Sequence, residues 1–91
     1  AMIYVISDGQ KIKIGFSKNP SKRLRQLQTG HPSKLTIVKQ YDLPNWSERR
    51  LHYLLRPLAT RFNGEWFFSS DLDSLLDTID SITSKIESEL S

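Results

Sequence analysis

The chain has 91 residues, a formal net charge of +3 and no cysteine. This length predicts one small domain over residues 1–91 with a modest core, and the lack of cysteine excludes disulfides and cysteine-ligated zinc. No apolar run approaches the roughly 18 residues of a membrane span, so we expect a soluble cytoplasmic protein with no membrane partner.

The charge is divided unevenly along the chain. Residues 1–62 hold twelve Lys or Arg and three acids, a net charge of +9, whereas residues 63–91 hold one Lys and seven acids, a net charge of −6. A basic body beside an acidic segment is typical of a protein that presents one face to phosphate and turns the other away. From charge alone, a solvated surface with unevenly spread charge explains the pattern equally well.

The first thirty residues predict a β-hairpin followed by a helix. Apolar residues alternate with others on both sides of Asp8-Gly9, a dipeptide that favours the tight turn of a hairpin. Asn19-Pro20 then supplies an N-cap and a proline at the first helical position, and Gly30 ends the helix.

The middle of the chain predicts a third strand and a second helix. Residues 35–38 are apolar or β-branched, as expected for a strand. Leucines recur at helical spacing over residues 51–58, after a cap at Asn45 or Ser47, and Pro57 is expected to end or bend this helix.

The last third predicts a short extended segment and a long helix. A turn at Asn63-Gly64 precedes the extended residues 65–68, and an apolar stripe predicts a C-terminal helix over about 70–89. The expected fold class is therefore α+β, with a three-stranded antiparallel sheet flanked by helices. The element order is ββαβα, followed by the short strand and the C-terminal helix.

Four polar residues are distributed over the first two strands and the first two helices in a fixed order. They are Tyr4, Lys13 within Lys13-Ile14-Gly15, Arg23 and Glu48. In this order and with these gaps they resemble the GIY-YIG nuclease domain, a small αβ unit that hydrolyses one DNA strand with a single metal ion. Residues 23–30, the interval 48–52 and residues 64–67 are similar to a phage-associated branch in which Lys-Ile-Gly is a usual second motif.

The resemblance implies one Mg²⁺ or Mn²⁺ ion held by Glu48. Hard oxygen ligands suit these ions, and Glu48 is the only acid between Asp42 and Glu65. A single carboxylate holds such an ion weakly, so we expect poor metal affinity without DNA. An acid in the first turn of a helix also stabilises the helix dipole, which accounts for Glu48 without a metal.

The resemblance also implies a set of catalytic residues. Tyr4 would orient or deprotonate the attacking water, Lys13 would stabilise a phenolate or contact phosphate, and Arg23 would bind the scissile phosphate through its planar fork. His52 lies one helical turn after Glu48 and would position water or phosphate. In isolation each of these side chains is also explained by strand packing, by solvation or, for His52, by a structural role.

Four further basic residues are predicted to contact the DNA backbone. They are Lys22, Arg25, Arg49 and Arg50. The sequence departs from the family in three places: the first-motif glycine is absent, Lys13 replaces a tyrosine, and the supporting asparagine is unclear between Thr60 and Asn63.

Three functions therefore remain open. The first is a metal-dependent DNA endonuclease, and the second is a DNA-binding module on the same fold that does not cut. The third is a protein-interaction domain that uses the C-terminal helix. No helix-turn-helix or zinc finger is visible, so we expect DNA recognition to come from a fused domain, from a partner or from DNA shape. The expected location is the cytoplasm of a bacterium or a phage-infected host.

Overall fold

The computed structural model describes residues 1–91, which form a single five-stranded antiparallel sheet with three α-helices. The elements are β1 (Met2–Ser7), β2 (Lys11–Ser17), α1 (Pro20–Gln28), β3 (Thr36–Tyr41), α2 (Trp46–Leu55), a 3-10 turn (Arg56–Leu58), β4 (Arg61–Asn63), β5 (Trp66–Phe68) and α3 (Leu72–Leu90). The strand order is β3-β1-β2-β5-β4. The small α+β class expected from the sequence is confirmed.

The sheet contains five strands instead of three, because the short strand expected over residues 65–68 joins it as β5, and β4 was not predicted. β5 pairs with β2, and β4 pairs with β5 across a turn in which Gly64 has a φ of 61°. All three residues of β4 are exposed. β4 has the sequence Arg-Phe-Asn, and three residues are too few for their alternation of polar and apolar positions to indicate a strand.

The sheet carries a hydrophobic core on each face because successive strand residues point to opposite sides. On β1, Ile3 and Val5 belong to the larger core, which also includes residues of α2 and α3. Tyr4 and Ile6 belong to the smaller core, where Leu24 of α1 packs against them. None of the helices combines the length and the apolar character that a membrane crossing would require.

Two of the three helices begin with a side chain that caps the helix by accepting a backbone hydrogen bond. The Asn19 side chain accepts a hydrogen bond from the backbone N–H of Lys22 at 3.1 Å, and Asp71 accepts one from Ser74 at 3.0 Å. The start of α2 is different, since Asn45 makes no side-chain capping bond and the buried Ser47 hydroxyl has no partner. Asn45 therefore occupies the expected N-cap position without making the expected capping bond.

One close contact shapes the hairpin of β1 and β2. Tyr4 and Gly15 are directly opposite in the ladder, and the Tyr4 ring lies over the glycine. A Cβ atom at position 15 would overlap the phenol oxygen and Cζ of Tyr4 and would lie 2.9 Å from its Cε2. The glycine is therefore required for space, since its φ does not lie in the left-handed region.

We predict that Gly15→Ala lowers the free energy of unfolding by about 1–3 kcal/mol, the usual cost of overfilling a packed site. In a Tyr4→Ala background the added methyl group contacts no ring, so the same change should lower the free energy of unfolding by less. Urea unfolding of the four proteins in this double-mutant cycle measures the difference. An equal cost of Gly15→Ala in both backgrounds would contradict the steric account.

Candidate active site

The phenol of Tyr4 lies where several charged groups converge. Burial raises the pKa of Tyr4, and Arg23 opposes this through a hydrogen bond and its positive charge, while the charges of Glu65 and Glu48 add to the increase. The phenol is therefore neutral near pH 7. A neutral hydroxyl can orient a water molecule by hydrogen bonding, but it is a weak base.

Lys13 lies on the same face of the hairpin and is paired with an acid that the sequence reasoning did not assign. Its side chain is buried, and its Nζ atom is 2.8 Å from Oε1 of Glu65. Glu65 directly precedes β5, and its backbone carbonyl accepts a hydrogen bond from the N–H of Ile14 at 3.2 Å. Glu65 is thus held against β2 by both its backbone and its side chain.

Glu48, in the first turn of α2, shares this environment with Glu65. Burial, followed by the hydrogen bond and charge of Glu65, raises the pKa of Glu48 to about 7, and Lys13 acts in the opposite direction. Burial alone would raise the pKa of Glu65, but hydrogen bonds from Lys13 and Glu48 lower it below its usual value. The pKa values of the two carboxyl groups are therefore shifted in opposite directions, as expected for neighbouring acids, and a cation would be stabilised between them.

His52 joins α2 to the sheet. Its Nε2 atom is 3.0 Å from the carbonyl oxygen of Ile14, which can only accept, so Nε2 carries a proton and donates it. The ring also contacts Phe67 with 5.1 Å between ring centroids. Nε2 is 3.8 Å from Oε1 of Glu48, one helical turn earlier. His52 therefore fixes the part of α2 that carries Glu48.

The donor set fits a hard divalent cation. Ligand atoms of Glu48, His52 and Glu65 all lie within 4.8 Å of one another. The Nε2 atom of His52 donates to the Ile14 carbonyl and is not free to bind a cation, whereas the two carboxylates offer oxygen ligands, which suit Mg²⁺ or Mn²⁺. The sequence predicted one carboxylate, whereas the structure places two together.

A cleft of about 750 Å³ opens beside these acids. Its lining residues come from β2, the start of α2, the 3-10 turn and the β4–β5 turn. They are Phe16, Asn45, Trp46, Glu48, Arg49, His52, Arg56, Gly64 and Glu65. The cleft therefore combines two acids with two arginines, a composition suited to a metal ion and a phosphate together.

The predicted DNA-contact residues occupy different environments. Lys22 and Arg25 are exposed on α1, and Arg49 is exposed and lines the cleft. Arg50 does not line the cleft; its Nη1 atom is 2.8 Å from Oε2 of Glu89 on α3. Arg56 lines the cleft although it was not among the predicted DNA contacts.

Sequence reasoning missed Glu65 and Arg56 as site residues. The signal for Glu65 was its position after the Asn63-Gly64 turn, in a stretch that shares the family resemblance. Arg56 carried no comparable signal, because its position in the cleft depends on how α2 ends before Pro57.

We predict that Glu48 titrates near pH 7 in the metal-free protein, as measured from its ¹³C carboxyl shift by NMR. Glu65→Gln removes the neighbouring negative charge and should lower this pKa toward the ordinary 4.5. Glu87→Gln, which changes an exposed acid of α3, should leave it unchanged. A Glu48 pKa near 4.5 in the unmodified protein would contradict the paired arrangement.

The same pKa predicts how the stability of the metal-free protein changes with pH. Because the folded-state pKa of Glu48 is raised from 4.5 to about 7, the folded protein holds a proton that the unfolded chain has released between these values. The contribution of Glu48 to stability is therefore lost as pH rises from 4.5 to about 7. Thermal unfolding should show that Glu48→Gln loses less stability than the unmodified protein over this pH range.

The sequence as a whole is similar to one known domain family. The model of the T5orf172 domain matches residues 1–87. No curated protein and no solved structure matches the chain. The chain therefore belongs to the T5orf172 domain family, a phage-associated family related to the GIY-YIG and HNH-like nucleases.

Proposed function

We propose that this domain is a metal-dependent DNA endonuclease of the GIY-YIG type, which hydrolyses one strand per active site. The observation that carries the proposal is the convergence of Glu48, Glu65 and His52 within 4.8 Å at a cleft that also contains arginine. Tyr4 and Lys13 interact electrostatically with the two acids. The membership of a family related to nucleases supports the same conclusion.

In-line cleavage of a phosphodiester requires an oriented water, neutralisation of the phosphate and assistance to the leaving oxygen. One Mg²⁺ or Mn²⁺ ion, held by Glu48 and Glu65, supplies Lewis-acid and charge-neutralising chemistry when it is bound. Both carboxyl groups would be deprotonated when they hold the ion, because a metal ligand must give up its proton. The proposed site thus uses two protein carboxylates.

The remaining residues bind and orient the reacting groups. Arg23 contacts the phosphate through its guanidinium, where developing negative charge is stabilised. Tyr4, as a neutral phenol, orients the attacking water. Lys13 adds positive charge beside the phenol and the phosphate. His52 contributes by holding Glu48 through the Ile14 carbonyl, so we assign it a positioning role.

The proposed DNA path runs over the basic side of the molecule. Lys22 and Arg25 on α1 make no salt bridge and are free to contact backbone phosphate, and Arg49 and Arg56 face the cleft. Arg50 is a weaker candidate because it is paired with Glu89. In this proposal a fused or partner domain recognises the particular DNA sequence.

One observation favours a second function, a DNA-binding module that does not cut. Lys13 is already neutralised by Glu65 at 2.8 Å, which reduces its attraction for a phosphate. If the pair persists when DNA is bound, Lys13 does not assist the reaction, and the basic residues alone would define the function.

We predict that the protein converts supercoiled plasmid to the nicked form with Mg²⁺ or Mn²⁺, and that EDTA abolishes this. Glu48→Gln should lower the cleavage rate at least about 100-fold, the scale expected when a group that stabilises transition-state charge is removed. Its binding to the same DNA, measured by gel shift, should remain. Asp77→Asn is the matched control, since Asp77 is exposed on α3 and makes no ion pair.

The outcomes separate the two functions. Salt-sensitive binding without cutting under either metal would support the DNA-binding module and overturn the nuclease. Cutting that survives in Glu48→Gln would remove the proposed metal role of that residue.

We further predict that Arg49→Ala and Arg56→Ala each weaken DNA binding and reduce the slope of log affinity against log salt by about one, as expected for loss of one phosphate contact. Lys85→Ala removes the same charge from the exposed surface of α3, away from the cleft, and should leave the slope unchanged. An equal decrease in affinity and in salt slope in all three variants would indicate a general charge effect and would contradict a DNA path through the cleft.

A further inference from the structure

The side chain of Trp46 is a large apolar group at the edge of a polar cleft. It is 42% exposed, lines the cleft and lies two residues before Glu48 on α2. It belongs to neither hydrophobic core. The other tryptophan, Trp66, instead packs against the smaller core and stacks on His31. Core packing therefore does not explain Trp46.

The indole of Trp46 is held in place from one side. The guanidinium of Arg50 lies 4.9 Å from the ring centroid, and Arg50 is itself fixed by Glu89 at 2.8 Å. This contact joins the start of α2 to the end of α3. A ring that is ordered before a ligand arrives loses little conformational entropy on binding. The exposed face of the Trp46 indole is therefore a preorganised aromatic surface, called the platform below.

The chemistry around the platform matches a nucleotide. The cleft volume of about 750 Å³ lies within the range of small-ligand sites. Arg49 and Arg56 line the same cleft and suit the phosphates on either side of a base. Phe16 adds a second aromatic surface. Aromatic side chains beside arginines are the usual means of holding nucleic acid with unpaired bases.

The faces of a base in a duplex are covered by its neighbours, so only an unpaired base can stack on an indole. We propose that Trp46 stacks an unpaired DNA base next to the phosphate that occupies the proposed metal site of Glu48 and Glu65. The preferred substrate is then DNA with an unpaired nucleotide at the cleavage point, such as a flap, gap or bulge. This inference rests on the proposed function, because it names the substrate class of the same site.

The test compares one DNA sequence as a perfect duplex and as a duplex with a short unpaired segment. Binding is measured without cleavage in Glu48→Gln. We expect at least about tenfold tighter binding to the DNA with the unpaired segment, since stacking of one base on an aromatic side chain contributes about 1–3 kcal/mol. Trp46→Ala should abolish this preference and leave duplex binding nearly unchanged. Trp46→Phe should retain part of it.

Two controls make the assignment specific. Tyr53→Ala removes another exposed aromatic ring of α2, outside the cleft, and should preserve the preference. In Glu48→Gln with Trp66→Phe, Trp46 is the only tryptophan, so DNA with the unpaired segment should quench its fluorescence and the duplex should not. The binding comparison does not require the Trp66 change and stands if that variant fails to fold.

The outcomes also separate this inference from the proposed function. Equal affinity for both DNAs, or a preference that survives in Trp46→Ala, overturns the stacking site even if plasmid is nicked. A preference that depends on Trp46, in a protein that cuts neither DNA with either metal, supports the stacking site and overturns the nuclease.

Discussion

The packing of Tyr4 across Gly15 is the constraint on which the rest of the site depends. Only glycine leaves room for the phenol at this point of the hairpin, because any Cβ atom would overlap the ring. With the ring there, its hydroxyl interacts with Arg23 and with the charges of Glu48 and Glu65. The glycine of the Lys-Ile-Gly motif is thus required for the position of a neighbouring side chain, and its own backbone conformation is ordinary.

Ile14, the residue before that glycine, organises the acids through its backbone. Its N–H donates to the carbonyl of Glu65 at 3.2 Å, and its carbonyl accepts from His52 at 3.0 Å. One residue of β2 therefore fixes both the segment before β5 and the helix that carries Glu48. Burial and, after it, the neighbouring Glu65 raise the pKa of Glu48. Such placement of like charges is characteristic of sites that bind a cation or perform acid-base chemistry.

The local elements of this fold could be predicted from the sequence, and the long-range contacts could not. The Asp8-Gly9 turn and the Asn19 cap depend on neighbouring residues, so their sequence signals were sufficient. Glu65 reaches Lys13 only through the pairing of β5 with β2, which no local pattern specifies. The interaction of Arg50 with Glu89 spans 39 positions of the chain, so the sequence did not indicate that this predicted DNA contact is paired with an acid.

The central claim is that Glu48 and Glu65 together hold one divalent ion. The most direct measurement is a titration with Mn²⁺, followed by electron paramagnetic resonance in the absence of DNA, of the unmodified protein, Glu48→Gln, Glu65→Gln and the control Asp77→Asn. We expect one site whose affinity falls at least about tenfold in each glutamine variant and is unchanged in the control. Unaltered Mn²⁺ affinity in Glu65→Gln would contradict a site built on two carboxylates.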